Sequence, residues 1–150
     1  MDKIAVFIDG GMLAILTKKA FPNADGTPRK IKWENFSETL VSDCHGELLR
    51  TYYYTCPPFQ GTYPTLEEKQ RKQSYDRFSY SLRQLKQFQL REGRLRKYYD
   101  SKGIPDFIQK GVDVLLAIDM LKLALKGAIQ KVILISSDSD FVPVVRALRD

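Results

Sequence analysis

Two short runs constrain this chain more than anything else in it: Lys3 to Asp9, KIAVFID, and Lys131 to Ser136, KVILIS. Each is continuously apolar through its middle and rich in β-branched residues. Neither shows the strict alternation of a strand with one wet face. Strands buried on both faces read this way, and they belong to parallel sheets covered by helices on each side. Between the two runs the chain alternates. MLAILTKKA from Met12 predicts a short helix, and Pro22, Asn23, Asp25-Gly26 and Pro28 mark a loop. Trp33, Phe36, Leu40 and Val41 stand at helical spacing in a second helix reaching Asp43, and LLRTYYYT, residues 48–55, reads as an aromatic strand.

Thr65 followed three residues later by Glu68 is a capping-box pattern. It opens a long helix predicted over residues 66–90, with Tyr75, Phe78, Leu82, Leu85 and Phe88 as its apolar stripe. Glu92-Gly93 marks a turn, RLRKYYD (94–100) a more polar strand, and 101–106 a loop. GVDVLLAIDMLKLALKG, 111–127, is apolar nearly all round and ends at glycine, the pattern of a well-buried helix. After the second buried strand comes a turn over 137–140 and a last helix from Phe141, with Pro143 tolerated in its first turn. The whole is expected to be α/β, a Rossmann-like three-layer sandwich with a mostly parallel central sheet, built as one domain over residues 1–150. Such an architecture would return through another strand after Asp150. The expectation is therefore either a last element beyond this chain or a short version of the fold.

No apolar run approaches the roughly 20 residues a membrane span needs. The N-terminus enters its first strand directly, without the apolar region and cleavage site of a signal peptide, so a cytoplasmic location is the expectation. Cys44 and Cys56 stand apart, form no CxxC, and are accompanied by one histidine, His45; they read as two reduced thiols rather than a zinc site or a disulfide framework. Cys44 and His45 are adjacent and point in different directions, which disfavours a nucleophile pair.

The net charge is +6, and its distribution matters more than its size. Residues 65–102 hold eleven Lys and Arg against five Asp and Glu, while the remainder of the chain balances at thirteen of each. An excess confined to one segment suggests a polyanionic partner; a solvated helix face is the plainer alternative.

In open α/β sheets, ligands bind beyond the carboxyl ends of the strands. Asp9 ends the first strand, beside Gly10-Gly11, which admits close approach to the backbone. Asp138 and Asp140 follow the last strand in ISSDSDF, and Asp113 lies in the first turn of the apolar helix. If the two buried strands are neighbours, the carboxylates converge. Clustered carboxylates repel unless protonated or joined by a cation, and an all-oxygen set suits Mg²⁺ or Mn²⁺. Plainer roles exist for each. Asp140 or Ser139 would cap the last helix, Asp113 would complement a helix dipole, and Asp138 would be a turn aspartate. Asp9 is the hardest to reduce to such a role, because an acid ending a buried strand needs a partner. Asp119, six residues after Asp113, falls on a different helix face and would reach the site edge or pair with a lysine.

FIDGG at 7–11, KGVDVLLAIDM at 110–120 and LISSDSDFVPVV at 134–145 together resemble the NYN domain, a branch of the PIN-like nucleases. The resemblance spans nearly the whole chain, and the third motif is its most specific part. It implies a Rossmann-like sandwich and a metal-dependent ribonuclease acting on structured or messenger RNA. Carried over by position, it implies Asp9, Asp113, Asp138 and Asp140 as the catalytic and metal-holding acids, with Asp119 at a recurrent family aspartate. Many members carry asparagine where this chain has Met12. The reading is thus a Mg²⁺- or Mn²⁺-dependent ribonuclease, with Arg94, Arg96, Lys97 and Lys110 guiding the RNA backbone. The other partner expectations are no membrane and a homodimer. The alternative is an RNA-binding or regulatory module that kept the fold and lost turnover, which Met12 favours because a thioether offers no hydrogen bond to a phosphate.

Overall fold

A computed structural model describes residues 1–150. In chain order the elements are β1 (Asp2–Asp9), α1 (Gly10–Ile15), a π-helical turn (Leu16–Ala20), α2 (Trp33–Asp43), β2 (Gly46–Thr55), α3 (Leu66–Arg83), β3 (Phe88–Glu92), β4 (Arg94–Tyr99), β5 (Pro105–Lys110), α4 (Val112–Leu125), β6 (Lys131–Ile135), a 3-10 turn (Ser139–Phe141) and α5 (Val142–Arg149). The central sheet has four strands in the order β3-β2-β1-β6, and every neighbouring pair is parallel.

The continuous apolar character of β1 follows from its place in the middle of this sheet. Ile4, Val6 and Ile8 point to one face, where Leu13, Val41 and Leu82 bring in α1, α2 and α3. Ala5 and Phe7 point to the other, where Leu116, Met120 and Val144 bring in α4 and α5. All five β1 residues are fully buried. β2 works the same way. Tyr52 and Tyr54 stack with Phe7 on the α4 face, and Tyr53 meets Trp33, Phe78 and Phe88 edge-on or stacked on the opposite face. The α/β sandwich expected from the strand patterns is therefore the observed fold. No helix is long and apolar enough to cross a membrane.

Chain order explains why the carboxyl ends of β1 and β6 form a crevice. From β1 the chain moves through α2 to β2 and through α3 to β3, all to one side. It then crosses to the other side of β1 and enters β6 through α4. The direction of winding reverses between β1 and β6, and a crevice opens at such a switch point.

Three sequence expectations are corrected. The helix predicted to reach residue 90 stops at Arg83, and Phe88–Glu92 pairs in parallel with Thr51–Thr55 as strand β3. Phe78, Leu82, Leu85 and Phe88 do share one apolar cluster, but the last two reach it from a turn and a strand. No glycine or proline announces that turn; it is made by Gln87, held at φ 56°. The loop expected over 101–106 is the tip of a hairpin, whose second strand β5 pairs antiparallel with β4 in a separate two-stranded sheet. Finally, α4 is not buried all round. Val112, Leu116 and Met120 are buried, whereas Val114, Ile118 and Leu125 are exposed.

Candidate metal-binding site

β1 and β6 are hydrogen-bonded neighbours, with Ile8 opposite Ile135, so the residues that follow them emerge side by side. Asp9 caps α1. Its Oδ1 accepts from the Met12 backbone N–H at 3.3 Å and its Oδ2 accepts from the Ser136 hydroxyl at 3.0 Å. The carboxylate is thereby fixed between the two strand ends. An ionised carboxylate has about four acceptor positions, so these two bonds leave capacity directed at the crevice. Ser136 also accepts from the Asp138 N–H at 3.1 Å, and Asp138 Oδ1 accepts from the Asp140 N–H at 2.9 Å, closing the tight turn into α5. The SSDSD run thus places two carboxylates one turn beyond β6.

The third comes from α4. Gly111 sits at φ +85°, a left-handed conformation favourable only for glycine, and this lets the chain turn sharply from β5 into the helix. Asp113 then lies in the first helical turn. Carboxylate oxygens of Asp113, Asp138 and Asp140 all lie within 4.8 Å of one another. Burial raises the Asp113 carboxyl above its ordinary value, and the negative charges of Asp138, Asp9 and Asp140 push it the same way. The four acids therefore share one electrostatic neighbourhood, with Asp9 at its edge. Such repulsion is relieved by a proton or a cation. The donors are all oxygen, with no histidine or thiol among them, which fits a hard divalent cation.

Asp9 and Asp138 also line an open cleft of about 520 Å³ with Gly11, Met12, Ile15, Leu16, Gln109 and Ser137. Gly11 lies against this wall: a Cβ there would stand 3.3 Å from Gln109 Nε2, at the end of a flexible side chain, and 3.7 Å from Asp9 Oδ1. Gly10 serves packing instead, since a Cβ would collide with the Tyr53 ring. Met12 contributes its N–H to Asp9 and its side chain to the cleft wall.

Asp119 stands apart from this group. It accepts from the Tyr54 hydroxyl at 2.7 Å and from Arg91 Nε and Nη2 at 3.1 and 3.3 Å. The lysine partner considered for it is replaced by Arg91, which its +6 segment thereby spends inside the fold. Arg83 pairs with Glu92, Arg71 with Glu67 and Lys72 with Asp76, all acids of the same segment, so these pairs leave its net excess unchanged. Arg94, Arg96, Lys97 and Lys110 are exposed and make no ion pair. They do not form a single patch. Opposed residues of an antiparallel pair share a face, so Arg94, Arg96 and Lys110 lie on one face of the hairpin and Lys97 on the other.

Sequence reasoning missed Gln109 and the bracing role of Ser136. Gln109 lies in a segment without periodic signal and reaches the cleft through its side chain, whose Nε2 lies beside Gly11. Ser136 was visible in ISSDSD, but its bond to Asp9 needed the strand order. A family model described as NYN domain matches residues 3–150 of the chain. No curated protein and no solved structure matches it.

Proposed function

The chain belongs to the NYN domain family, a group of nuclease-like domains, and from that membership and the acidic crevice we propose that it is a Mg²⁺- or Mn²⁺-dependent ribonuclease acting in the cytoplasm. The observation that carries the proposal is the convergence of Asp113, Asp138 and Asp140 beside Asp9 at the switch point of the sheet. A divalent ion, if held there, would supply Lewis-acid stabilisation of a phosphodiester in its transition state and a lowered pKa for a nearby water. Asp9, Asp113 and Asp138 would hold the ion. Asp140, exposed at the start of the 3-10 turn, would accept a hydrogen bond from the attacking water and orient it. Asp9 starts that work pre-positioned, because the Met12 N–H and the Ser136 hydroxyl fix both of its oxygens. Arg94, Arg96, Lys97 and Lys110 draw in the phosphate backbone.

The test is cleavage of a fluorogenic oligoribonucleotide in Mg²⁺ and in Mn²⁺. Wild type should cleave with either or both, EDTA should stop it, and Asp9→Asn or Asp113→Asn should abolish it. Undiminished cleavage by both variants would remove the site from consideration. One observation favours a second reading. The Met12 side chain lines the cleft and offers no hydrogen bond there, as suits a module that binds RNA without turning it over. Salt-sensitive RNA binding with no product in either metal would establish that reading instead.

A further inference from the structure

The hairpin of β4 and β5 stands outside the main sheet and carries a group of side chains that the acidic crevice does not use. Its register places Leu95, Lys97, Tyr99, Pro105, Phe107 and Gln109 on one face. The two inner positions of that face tie it to the body. Leu95 packs against the core cluster beneath α4, and Gln109 forms part of the cleft wall with Asp9 and Asp138. The outer positions do something different. Phe107 lies against Phe59, ring centroids 5.2 Å apart, and Lys97 Nζ stands 5.4 Å from the Phe59 ring and 5.7 Å from the Tyr99 ring. Tyr99 is 65% exposed and Phe107 38% exposed. Three aromatic rings and one ammonium thus make an open shelf, continuous with the acidic cleft through Gln109.

Apolar surface left in water at one place signals a partner. Charge indicates which kind. On the shelf face the one hairpin cation is Lys97, set between the Phe59 and Tyr99 rings, while Arg94, Arg96 and Lys110 stand on the opposite face and Lys102 in the turn. Both hairpin acids are held by hydrogen bonds within the hairpin. Asp100 Oδ1 accepts from the Lys102 and Ile104 N–H groups, and Asp106 accepts from the Tyr98 hydroxyl and the Phe107 N–H. A partner with flat π faces and negative charge at short intervals fits this combination. Nucleobases stack on exposed aromatic rings, and a phosphate between them pairs with an ammonium such as that of Lys97. Phe107 is two residues from Gln109 along β5, about 7 Å, so the shelf begins roughly one extended nucleotide away from the crevice.

We infer that this shelf, Phe59, Tyr99 and Phe107 with Lys97, stacks unpaired bases next to the scissile phosphate, and that the substrate is single-stranded RNA rather than a continuous duplex. The inference rests on the ribonuclease reading for its scissile phosphate. In a duplex the base faces are covered by their neighbours, so the shelf would have nothing to stack on.

The experiment is fluorescence anisotropy in EDTA with a labelled 12-nucleotide RNA, presented single-stranded or annealed to its complement. Wild type should bind the single strand more tightly. Tyr99→Ala and Phe107→Ala should each weaken single-strand binding by about five-fold or more, Tyr99→Phe should restore it, and duplex binding should not move. Tyr99 is exposed enough that its truncation leaves the fold intact, which circular dichroism checks. Equal affinity for strand and duplex, or no loss in Tyr99→Ala, overturns the inference. So does a dimer that Tyr99→Ala dissociates while RNA binding stays unchanged, since the shelf would then serve a second copy. Tyr99-dependent binding without any metal-dependent cleavage would uphold the shelf and defeat the ribonuclease reading. Equal cleavage of strand and duplex, indifferent to Tyr99→Ala, would do the reverse.

Discussion

Replacing Asp119 with alanine separates an acid that builds the fold from the acids of the crevice. The Asp119 side chain is 12% exposed and Arg91 33%, while Tyr54 is fully buried. Deleting the carboxylate removes three hydrogen bonds at once. The Tyr54 hydroxyl has no access to water, and leaving it unsatisfied costs about 1–3 kcal/mol. Arg91 can recover part of its hydration, so its lost partner weighs less than the full cost of breaking a buried pair. The sum is about 3 kcal/mol, the lower end of the range for such breaks. For a chain of this size that lowers Tm by roughly 6–12 °C. Tyr54→Phe alone should cost about 1 kcal/mol, because Arg91 still satisfies Asp119. In that background Asp119→Ala should be correspondingly milder, the signature of shared partners. Urea and thermal unfolding of the four proteins in EDTA measure all of this. An Asp119→Ala variant that melts with wild type, yet has lost RNA cleavage, would refute the argument and put Asp119 in the chemistry.

Asp113→Asn should behave in the opposite sense. The fold holds the Asp113 carboxyl above its ordinary value, so the folded state keeps that proton to a higher pH than the unfolded chain. Its contribution to stability falls as pH rises above the ordinary carboxylate value and through the raised one. The metal-free variant should therefore be more stable than wild type at pH 7, with the gap closing toward pH 4 in urea titrations; a gap that widens on acidification contradicts the assignment. Mn²⁺ at a hundred times its Kd should add about 2.7 kcal/mol to wild-type stability, and Asp138→Asn should lose most of that shift in the same melt. Cys56 is buried and its thiol pushed above the ordinary value by burial, so a thiol reagent should modify Cys44 first in the native protein and both cysteines only in denaturant. Equal native reactivity would show that the β2 end is open to solvent.

Local patterning sufficed for the sandwich. KIAVFID and KVILIS are apolar at every inner position, and only a strand with helices on both faces has use for that. It also determined which acids end those strands, because strand ends and turn residues are local facts. It did not determine where Phe88–Glu92 belongs. Its Phe and Leu fit a helical stripe as well as a strand, and the turn at Gln87 is secured by bonds that need β2 in place: the Gln87 side-chain amide donates to the Leu48 and Leu49 carbonyls, and its own carbonyl accepts from the Thr51 N–H. Nor did it reveal β5, whose exposed and irregular residues carry no period and are ordered by pairing with β4. The crevice divides in the same way. Asp138 and Asp140 are legible because one short turn holds both. Their meeting with Asp113 and Asp9 depends on β6 lying beside β1, a choice made by the packing of α4 across the sheet. Asp119 and Gln109 exchange importance for the same reason. The motif position singled out the first, yet the nearest hydrogen-bond donors, Tyr54 and Arg91, claim it for the core. Nothing local distinguishes the second, but the hairpin carries it to the mouth of the cleft.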